Sequence, residues 1–239
     1  CDIMFTAVGV NVLPFIAPHI AAGIAHRAKS QNELNIIICE NKINADSYLK
    51  NMVLENIPPE YFDFAAEKVG FVRASVGRMV PVVTDEMREG NILKVWVEPY
   101  CKLPIDKDAI KGKTTEISGI IPESNFDYHI QSKLYLHNMG HCLTAYLGKL
   151  NGYKYICEAI ENENIRFIVK NAMYASAEAL SIEHNRRYTD VKRYADDLIH
   201  RFGNRHLGDT VLRVGMDIKR KLAENDRLMG WINVNKVDR

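Results

Sequence analysis

The chain has 239 residues, 47% of them hydrophobic, and its 31 basic and 30 acidic side chains give a formal net charge of +1. A chain of this length and apolar content can bury a substantial core, as one large or two modest domains. The balanced charge gives no bulk reason to expect binding to nucleic acid or to a membrane surface.

The N-terminal part of the sequence predicts a β-α-β unit. DIMFTAV (2–8) and LNIIIC (34–39) are short apolar runs bounded by turn residues, a pattern typical of buried parallel strands. VLPFIAPHIAAGIAHRAK (12–29), which lies between them, predicts the crossover helix. A right-handed crossover makes the two strands parallel members of one sheet. Open sheets of this kind bind ligands at the carboxyl ends of their strands, and Gly9 follows the first strand at that end.

The rest of the chain changes from α/β to mostly helical. Helices are predicted at 47–56 and 60–69, and the β-branched and aromatic content of FVRASV (71–76) and NILKVWVEPY (91–100) predicts strands. Residues 102–125 predict an irregular connector. From Phe126 onward the apolar periodicity predicts helices at 126–150, 153–161, 163–185, 189–202 and 209–224.

Lys133, Asn138 and His141 form a K-x4-N-x2-H pattern within one predicted helix. At 100° per residue, Asn138 lies about 140° and His141 about 80° from Lys133, so all three can face one cleft. A lysine whose pKa is lowered by burial can take a proton from an alcohol while an amide and an imidazole hold the oxygen. The bland interpretation of Lys133 alone is a solvated helix lysine. The three residues together predict alcohol–ketone chemistry.

Asn138 and Gly140 are both poor residues for the middle of a helix, and Gly costs about 1 kcal/mol relative to Ala there. Their presence predicts close packing or a ligand against that face, or a kinked helix. His137 and His141 also form an H-x-x-x-H pair that could hold zinc. The metalloprotease pattern needs Glu directly after the first His, where Asn138 stands, so we predict no metal and keep a zinc hydrolase as an alternative.

Five stretches of the chain, in order, resemble one known family. They are TAVGVNVL (6–13), LNIIICEN (34–41), VGFVRASVGRMVP (69–81), KLYLHNMGHCLTAYLGKLNG (133–152) and RFGNRHLGDTVLRVGMDIKRKL (201–222). They are similar to the polyol-specific long-chain dehydrogenase/reductase family and cover nearly the whole chain. The resemblance implies NAD(H)-dependent oxidation of a sugar-alcohol phosphate to a ketose phosphate, with mannitol 1-phosphate and fructose 6-phosphate as the expected pair. It also implies an α/β fold: the C-terminal part of a Rossmann-type parallel-sheet domain at 1–115, followed by a mostly α-helical substrate domain at 116–239.

The resemblance also implies roles for individual residues. The catalytic residues would be Lys133, Asn138 and His141; the substrate-binding residues Asn41, Arg213 and Lys221; and the cofactor-binding residues Thr6, Ala7, Val8 and Gly9. Plainer interpretations stay open: Asn41 could simply end a strand, and Gly9 could serve a tight turn. Arg213 and Lys221 are about 80° apart on one predicted helix and could belong to an ordinary charged face. Glu40 and Lys42 are expected to be solvent or loop residues.

Two departures from the family pattern affect the interpretation. Gly77 stands in Val76-Gly77-Arg78 where the family usually carries Asp, and glycine cannot accept a hydrogen bond from a polyol hydroxyl. An unphosphorylated polyol, a hexuronate, or non-catalytic sugar-phosphate binding therefore stay as alternatives. The chain also begins at Cys1 and contains no G-x-G-x-x-G turn to cradle cofactor phosphates. We expect an internal fragment of the family's full length.

The cysteines and the hydropathy pattern bear on the cellular compartment of the protein. Five cysteines are scattered without a C-x-x-C pair, which argues against a disulfide framework and a zinc knuckle. No signal peptide or membrane span is visible in the sequence. We predict a cytoplasmic enzyme, a monomer or small homo-oligomer, with a small-molecule polyol phosphate as its partner.

Overall fold

The structure, a computed structural model, describes residues 1–81, 83–113 and 116–234. The chain divides into two compact units. The first consists of Cys1–Val76 and Cys101–Phe126, and the second of Gly77–Tyr100 and Asp127–Arg239. The predicted division at residue 115 stays a prediction.

A parallel sheet with strand order β1-β2-β3 forms the centre of the first unit. Its strands are β1 (Ile3–Thr6), β2 (Leu34–Ile38) and β3 (Val69–Arg73). Helix α1 (Leu13–Arg27) connects β1 to β2, and helices α2 (Ala45–Asn56) and α3 (Phe62–Lys68) connect β2 to β3. Every residue of β2 is buried, as expected for a central strand covered on both faces. The predicted parallel β-α-β unit and α/β class are confirmed.

The alternation of side chains along β2 separates the two faces of this sheet. Ile36 and Ile38 pack with the apolar sides of α1 and α2. Ile37 packs on the opposite face with Val72 and with Ile105. Ile105 belongs to a second parallel pair, formed by β4 (Leu103–Asp106) and β5 (Ile120–Glu123).

The predicted irregular connector at 102–125 is therefore wrong in part, because it contains β4 and β5. Both strands are only four residues long and each carries a proline, at Pro104 and Pro122. Proline lacks the N–H that a sheet ladder uses, so its presence argued against strands in the sequence. The third strand was also misplaced, since β3 begins at Val69 and not at Phe71.

The segment Gly77–Tyr100 belongs to the second unit and holds one short helix, α4 (Asp85–Arg88). The strand predicted at 91–100 is wrong: the described residues of this segment form no strand. Ile92, Leu93 and Val95 are 80%, 84% and 71% exposed, so the apolar pattern does not mark burial in a sheet here.

Helices form the rest of the second unit, as predicted. They are α5 (Asp127–Ser132), a π-helical segment (Lys133–Asn138), α6 (Met139–Leu150), α7 (Ile156–Glu161), α8 (Glu163–Glu183), α9 (Tyr188–Phe202), α10 (Val211–Gly215), α11 (Ile218–Lys221) and α12 (Met229–Val234). Helices α6, α8 and α9 share one apolar core. A Cβ added to Gly140 would lie 2.5 Å from Sδ of the buried Met173, which confirms the predicted close packing. Among the described residues, no helix is both long enough and apolar enough to cross a membrane.

Candidate active site

The π-helical segment begins at Lys133 and ends at Asn138. At its end, the backbone N–H of Met139 donates to the carbonyl of Leu134, five residues back. Residues five apart in such a segment lie about one turn apart on a similar face. The predicted separation of about 140° between Lys133 and Asn138 assumed α-helical geometry and is wrong here. The π segment brings the amine and the amide towards one face, and such segments are frequent at functional sites.

His141 follows in the first turn of α6 and is held on two sides. Its Nε2 lies 3.3 Å from Oδ2 of Asp209. Its ring stacks on Phe202, with ring centroids 5.0 Å apart and an interplanar angle of 9°. The side chain is 16% exposed, so it keeps limited access to solvent. The position and plane of the ring are therefore fixed by a carboxylate and by an aromatic face.

The surroundings of His141 keep its imidazole neutral. Burial, followed by the positive charges of Arg213, Lys221 and Arg227, lowers the pKa of His141 to about 3. At neutral pH the ring therefore acts as a hydrogen-bonding group and not as an imidazolium acid. The same shift shows that three cationic side chains lie near this histidine.

Arg213 and Lys221 lie on different short helices, α10 and α11. The single helix predicted at 209–224 is wrong, because Asp217 adopts a left-handed conformation with φ of 60° and breaks it. Lys221 is nevertheless 7% exposed and donates from Nζ to the carbonyl of Val214. Burial, followed by the charge of Arg227, lowers the pKa of Lys221. The two cations were expected on one face of a straight helix; they lie on two short helices, and the charges of both act on His141.

Two residues of this cluster were missed by sequence reasoning. Asp209 is 7% exposed and contacts both His141 and Arg213. Arg227 is 9% exposed and its Nε donates to Asp226 over 2.7 Å. The i,i+4 spacing of Asp209 and Arg213 was a signal for their pairing. No sequence pattern indicates the contact between Asp209 and His141.

His137, the other histidine of the H-x-x-x-H pair, is also buried. Burial, followed by the charges of His141, Arg201, Lys133 and Arg227, lowers the pKa of His137 well below its usual value. Its Nδ1 has no hydrogen-bond partner among the described residues.

The zinc alternative finds little support in this geometry. The rings of His137 and His141 are 6.2 Å apart and tilted by 47°. In the part of the chain that the structure describes, no group of three His, Cys, Asp or Glu residues is placed to hold a metal ion.

The two buried histidines predict a specific loss of stability in mild acid. Because their folded-state pKa values are depressed below the unfolded value near 6.5, the unfolded chain binds protons first as the pH falls. We expect the free energy of unfolding to fall by up to about 1.4 kcal/mol per pH unit for each histidine between pH 6.5 and pH 5. Urea denaturation at pH 7, 6 and 5 measures this slope.

Two variants make that measurement selective. His141→Gln should flatten the slope, whereas replacement of the exposed His206 by Gln should leave it unchanged. An equal acid slope in wild type and His141→Gln would show that the histidine is not held neutral.

In the first unit, the carboxyl end of β1 is fixed by Glu40. The Thr6 hydroxyl donates to Glu40 Oε2 over 2.6 Å, and the Val8 backbone N–H donates to Oε1 over 3.0 Å. Glu40 lies in a loop, as one of the two expectations had it, but it is 8% exposed and is therefore not in solvent. Thr6, also buried, therefore uses its hydroxyl to hold the strand end.

The residues that follow are open to a ligand. Ala7, Val8 and Gly9 are exposed, and Gly9 has φ of 90°, which favours glycine. A Cβ added to Gly9 would meet no atom within 4 Å, so its backbone is accessible. Asn41 is exposed just beyond β2, which is parallel to β1 and ends at the same edge. This edge fits one end of a dinucleotide, since the backbone can approach it closely.

Comparisons with known proteins agree with the fold. The family models for the mannitol dehydrogenase Rossmann domain and the mannitol dehydrogenase C-terminal domain match residues 1–119 and 125–238. The chain is 39% identical over 225 residues to mannitol-1-phosphate 5-dehydrogenase of Bacillus subtilis (strain 168), covering 94% of this chain and 59% of that protein. It is 38% identical over 229 residues to the mannitol-1-phosphate 5-dehydrogenase of Thermoanaerobacter pseudethanolicus, covering 95% and 58%. The chain thus spans about three fifths of the length of these relatives.

Two solved structures share the fold at lower identity. A substrate-free D-sorbitol dehydrogenase superimposes with a TM-score of 0.78 at 16% identity, covering 97% of this chain and 55% of that one. Pseudomonas fluorescens mannitol 2-dehydrogenase, solved with NAD and D-mannitol, gives a TM-score of 0.62 at 22% identity, covering 85% and 43%. The family models together span nearly the whole chain, and they confirm the resemblance seen in the sequence. The chain belongs to the mannitol dehydrogenase family.

Proposed function

We propose that this protein interconverts a sugar-alcohol phosphate and a ketose phosphate with NAD(H), and that mannitol 1-phosphate and fructose 6-phosphate are the pair. The observation that carries this proposal is the cluster around His141. A neutral imidazole lies within reach of the charges of Arg213 and Lys221, just after the segment that holds Lys133 and Asn138. Arginine and lysine are the side chains that suit a phosphate group. The two curated relatives are both named mannitol-1-phosphate 5-dehydrogenase, which supports mannitol 1-phosphate as the alcohol of the pair.

In the proposed mechanism, Lys133 removes the proton from the substrate hydroxyl, as a general base does. The Asn138 amide donates a hydrogen bond to the developing oxyanion, an interaction worth about 3 kcal/mol when well placed. His141 orients the hydroxyl, while Arg213 and Lys221 anchor the phosphate. NAD, when bound, supplies the hydride acceptor; the exposed backbone at Ala7–Gly9 would hold part of it.

The remaining roles predicted from the sequence complete the proposal. Asn41 would add an amide donor to the substrate oxygen. The buried Thr6 would act on the cofactor through the strand end that it fixes, and not by direct contact. We further propose a cytoplasmic enzyme, monomeric or a small homo-oligomer, with a small-molecule substrate and without nucleic-acid or membrane partners.

The test is an absorbance assay at the NADH band with the full-length protein. Fructose 6-phosphate and fructose are offered side by side, with and without a chelator. Chelator-resistant oxidation of NADH with fructose 6-phosphate alone is the expected result. Activity with fructose alone would move the function to an unphosphorylated polyol. Inhibition by the chelator would favour metal chemistry. Absence of NADH oxidation with both sugars would contradict the proposal.

Gly77 is the observation that favours the second candidate, a family member acting on an unphosphorylated polyol or a hexuronate. A Cβ added to Gly77 would lie 3.6 Å from Cε1 of Tyr100, an ordinary contact, so the fold does not require glycine there. The loss of the family's carboxylate is therefore a chemical change at this position. It removes a hydrogen-bond acceptor for substrate hydroxyls without a steric reason.

Replacement of Arg213 discriminates between these substrates. Arg213→Ala should raise the KM for fructose 6-phosphate about 10- to 100-fold, because a charge-assisted hydrogen bond contributes roughly 1.5–3 kcal/mol. The KM for fructose, where measurable, should change little. Lys219→Ala, at an exposed cation on the neighbouring helix, is the matched control. An equal effect of Arg213→Ala on both sugars would argue against phosphate recognition by this residue.

A further inference from the structure

One buried carboxylate, Asp209, contacts both a predicted catalytic residue and a predicted substrate anchor. Its Oδ2 lies 3.3 Å from Nε2 of His141, and its Oδ1 accepts a hydrogen bond from Nη2 of Arg213. The backbone around it is fixed, since Ile156 donates to the Asp209 carbonyl over 2.9 Å. Thr210 caps the next helix by accepting from the Arg213 backbone N–H over 3.2 Å. Asp209 is thus rigidly placed between the two side chains.

The contact with Asp209 decides which ring nitrogen of His141 carries hydrogen. A carboxylate oxygen only accepts hydrogen bonds, and a neutral imidazole has one N–H and one acceptor nitrogen. Burial lowers the pKa of His141 to about 3 and keeps its ring neutral. Because Oδ2 of Asp209 lies 3.3 Å from Nε2, hydrogen on Nε2 directs a positive group at the carboxylate, whereas a lone pair there would repel it. This leaves Nδ1 as the acceptor nitrogen of the ring.

We propose that Asp209 is a positioning residue that holds His141 as the Nε2–H tautomer and makes Nδ1 an acceptor for a substrate hydroxyl. The same carboxylate orients Arg213. The part of this proposal that concerns substrate rests on the proposed function, whereas the tautomer does not.

The tautomer limits what His141 can do to a substrate. An acceptor nitrogen binds a group that carries hydrogen, such as an alcohol, and it repels the lone pairs of a ketone oxygen. His141 therefore recognises the hydroxyl form, and the donor to a ketone oxygen must be an amide such as that of Asn138. The stacked Phe202 ring keeps the imidazole from rotating to exchange its two nitrogens.

Asparagine at position 209 gives a sharp test, because it has the size of aspartate with one acceptor oxygen and one NH₂ group. Arg213 can only donate, so it takes the amide oxygen. The NH₂ group then faces Nε2 of His141, which must become the acceptor. Asp209→Asn should therefore invert the tautomer to Nδ1–H, a result that loss of packing would not produce.

The measurement is the imidazole nitrogen spectrum of the full-length protein labelled with ¹⁵N-histidine. The His141 signals are assigned by their disappearance in His141→Gln. In the wild type, Nε2 should show the shift of a protonated nitrogen and Nδ1 that of an unprotonated one, and Asp209→Asn should exchange the two. Asp190→Asn, at a more exposed acid on α9, is the control and should change nothing.

Several outcomes would overturn the proposal. A protonated Nδ1 in the wild type would do so, as would an unchanged tautomer in Asp209→Asn or the same exchange in the control. Kinetics add a second readout: Asp209→Asn should lower kcat for oxidation of mannitol 1-phosphate at least about tenfold, because a protonated Nδ1 cannot accept from the substrate hydroxyl and a wrong histidine tautomer impairs catalysis strongly. Absence of turnover in the wild type would count against the proposed function alone, since the nitrogen shifts require no turnover.

Discussion

Lys133→Ala should abolish turnover of fructose 6-phosphate while NADH binding stays nearly unchanged. A positioned general base contributes about 10²- to 10⁴-fold to a rate, and methyl cannot accept a proton. The expected kcat is therefore at least about 100-fold below that of the wild type. Stopped-flow absorbance gives kcat, and the fluorescence of bound NADH gives cofactor affinity in the same preparation. Normal turnover in this variant would remove Lys133 from the mechanism.

Two further measurements separate a lost base from a disturbed helix. Lys149→Ala changes an exposed lysine in the last turn of α6 and should retain full activity. Added methylamine should restore part of the rate of Lys133→Ala, because a small amine can enter the space left by the side chain and take the proton. A variant that is inactive with amine, and whose circular dichroism spectrum has changed, would indicate a structural role.

Arg201→Ala should destabilise the second unit by about 3–5 kcal/mol. Arg201 makes a bidentate pair with Glu98, with N–O distances of 2.5 and 2.9 Å, and donates to the carbonyl of Gly77 over 2.6 Å. The two side chains of the ion pair are 8% and 3% exposed. Removing the guanidinium leaves the Glu98 carboxylate buried without its main partner, which is where the cost arises. A lower urea midpoint at an unchanged m-value is the expected result.

The chain offers a matched control for this pair just beyond the end of α9. Arg205 and Glu161 are also 2.5 Å apart, but their side chains are 65% and 50% exposed. Arg205→Ala should cost less than about 1 kcal/mol, since exposed pairs are screened by water. Replacing both Arg201 and Glu98 by leucine should recover much of the loss. Similar costs for the two arginine variants would show that burial does not set the energy of the Arg201 pair.

The sequence predicted those parts of the fold whose signal is local. β1 and β2 were predicted correctly because a short run of apolar residues bounded by turn residues is typical of a buried strand. Helices α8 and α9 were predicted correctly because their apolar residues recur with a regular helical period. β4 was missed because its stability comes from pairing with β5 and from packing by Ile105, neither of which is visible in four residues. The strand predicted at 91–100 failed for the opposite reason: its pattern is strand-like, but no described strand pairs with it.

At the candidate site, too, features encoded in neighbouring residues could be predicted, whereas contacts between distant residues could not. The spacing of Lys133, Asn138 and His141 was enough to suggest chemistry. The π-helical geometry between them depends on how the helix packs, and periodicity assumes an α-helix. Asp209 and Glu40 could not be recognised, because each acts through a contact with a residue more than 30 positions away.

The π segment holds one residue more than an α-helix of the same number of turns would hold. Deleting a single residue between Lys133 and Asn138 would let the helix relax to ordinary α geometry at little cost in local stability. The residues on either side of the deletion would keep their faces, because five residues of the π segment and four of an α-helix both make about one turn. His141 would therefore still face Asp209, and α6 would keep its side towards the core. A deletion within α6 would instead rotate every residue after it by about 100°, so this stretch can lose a residue before Asn138 more readily than after it.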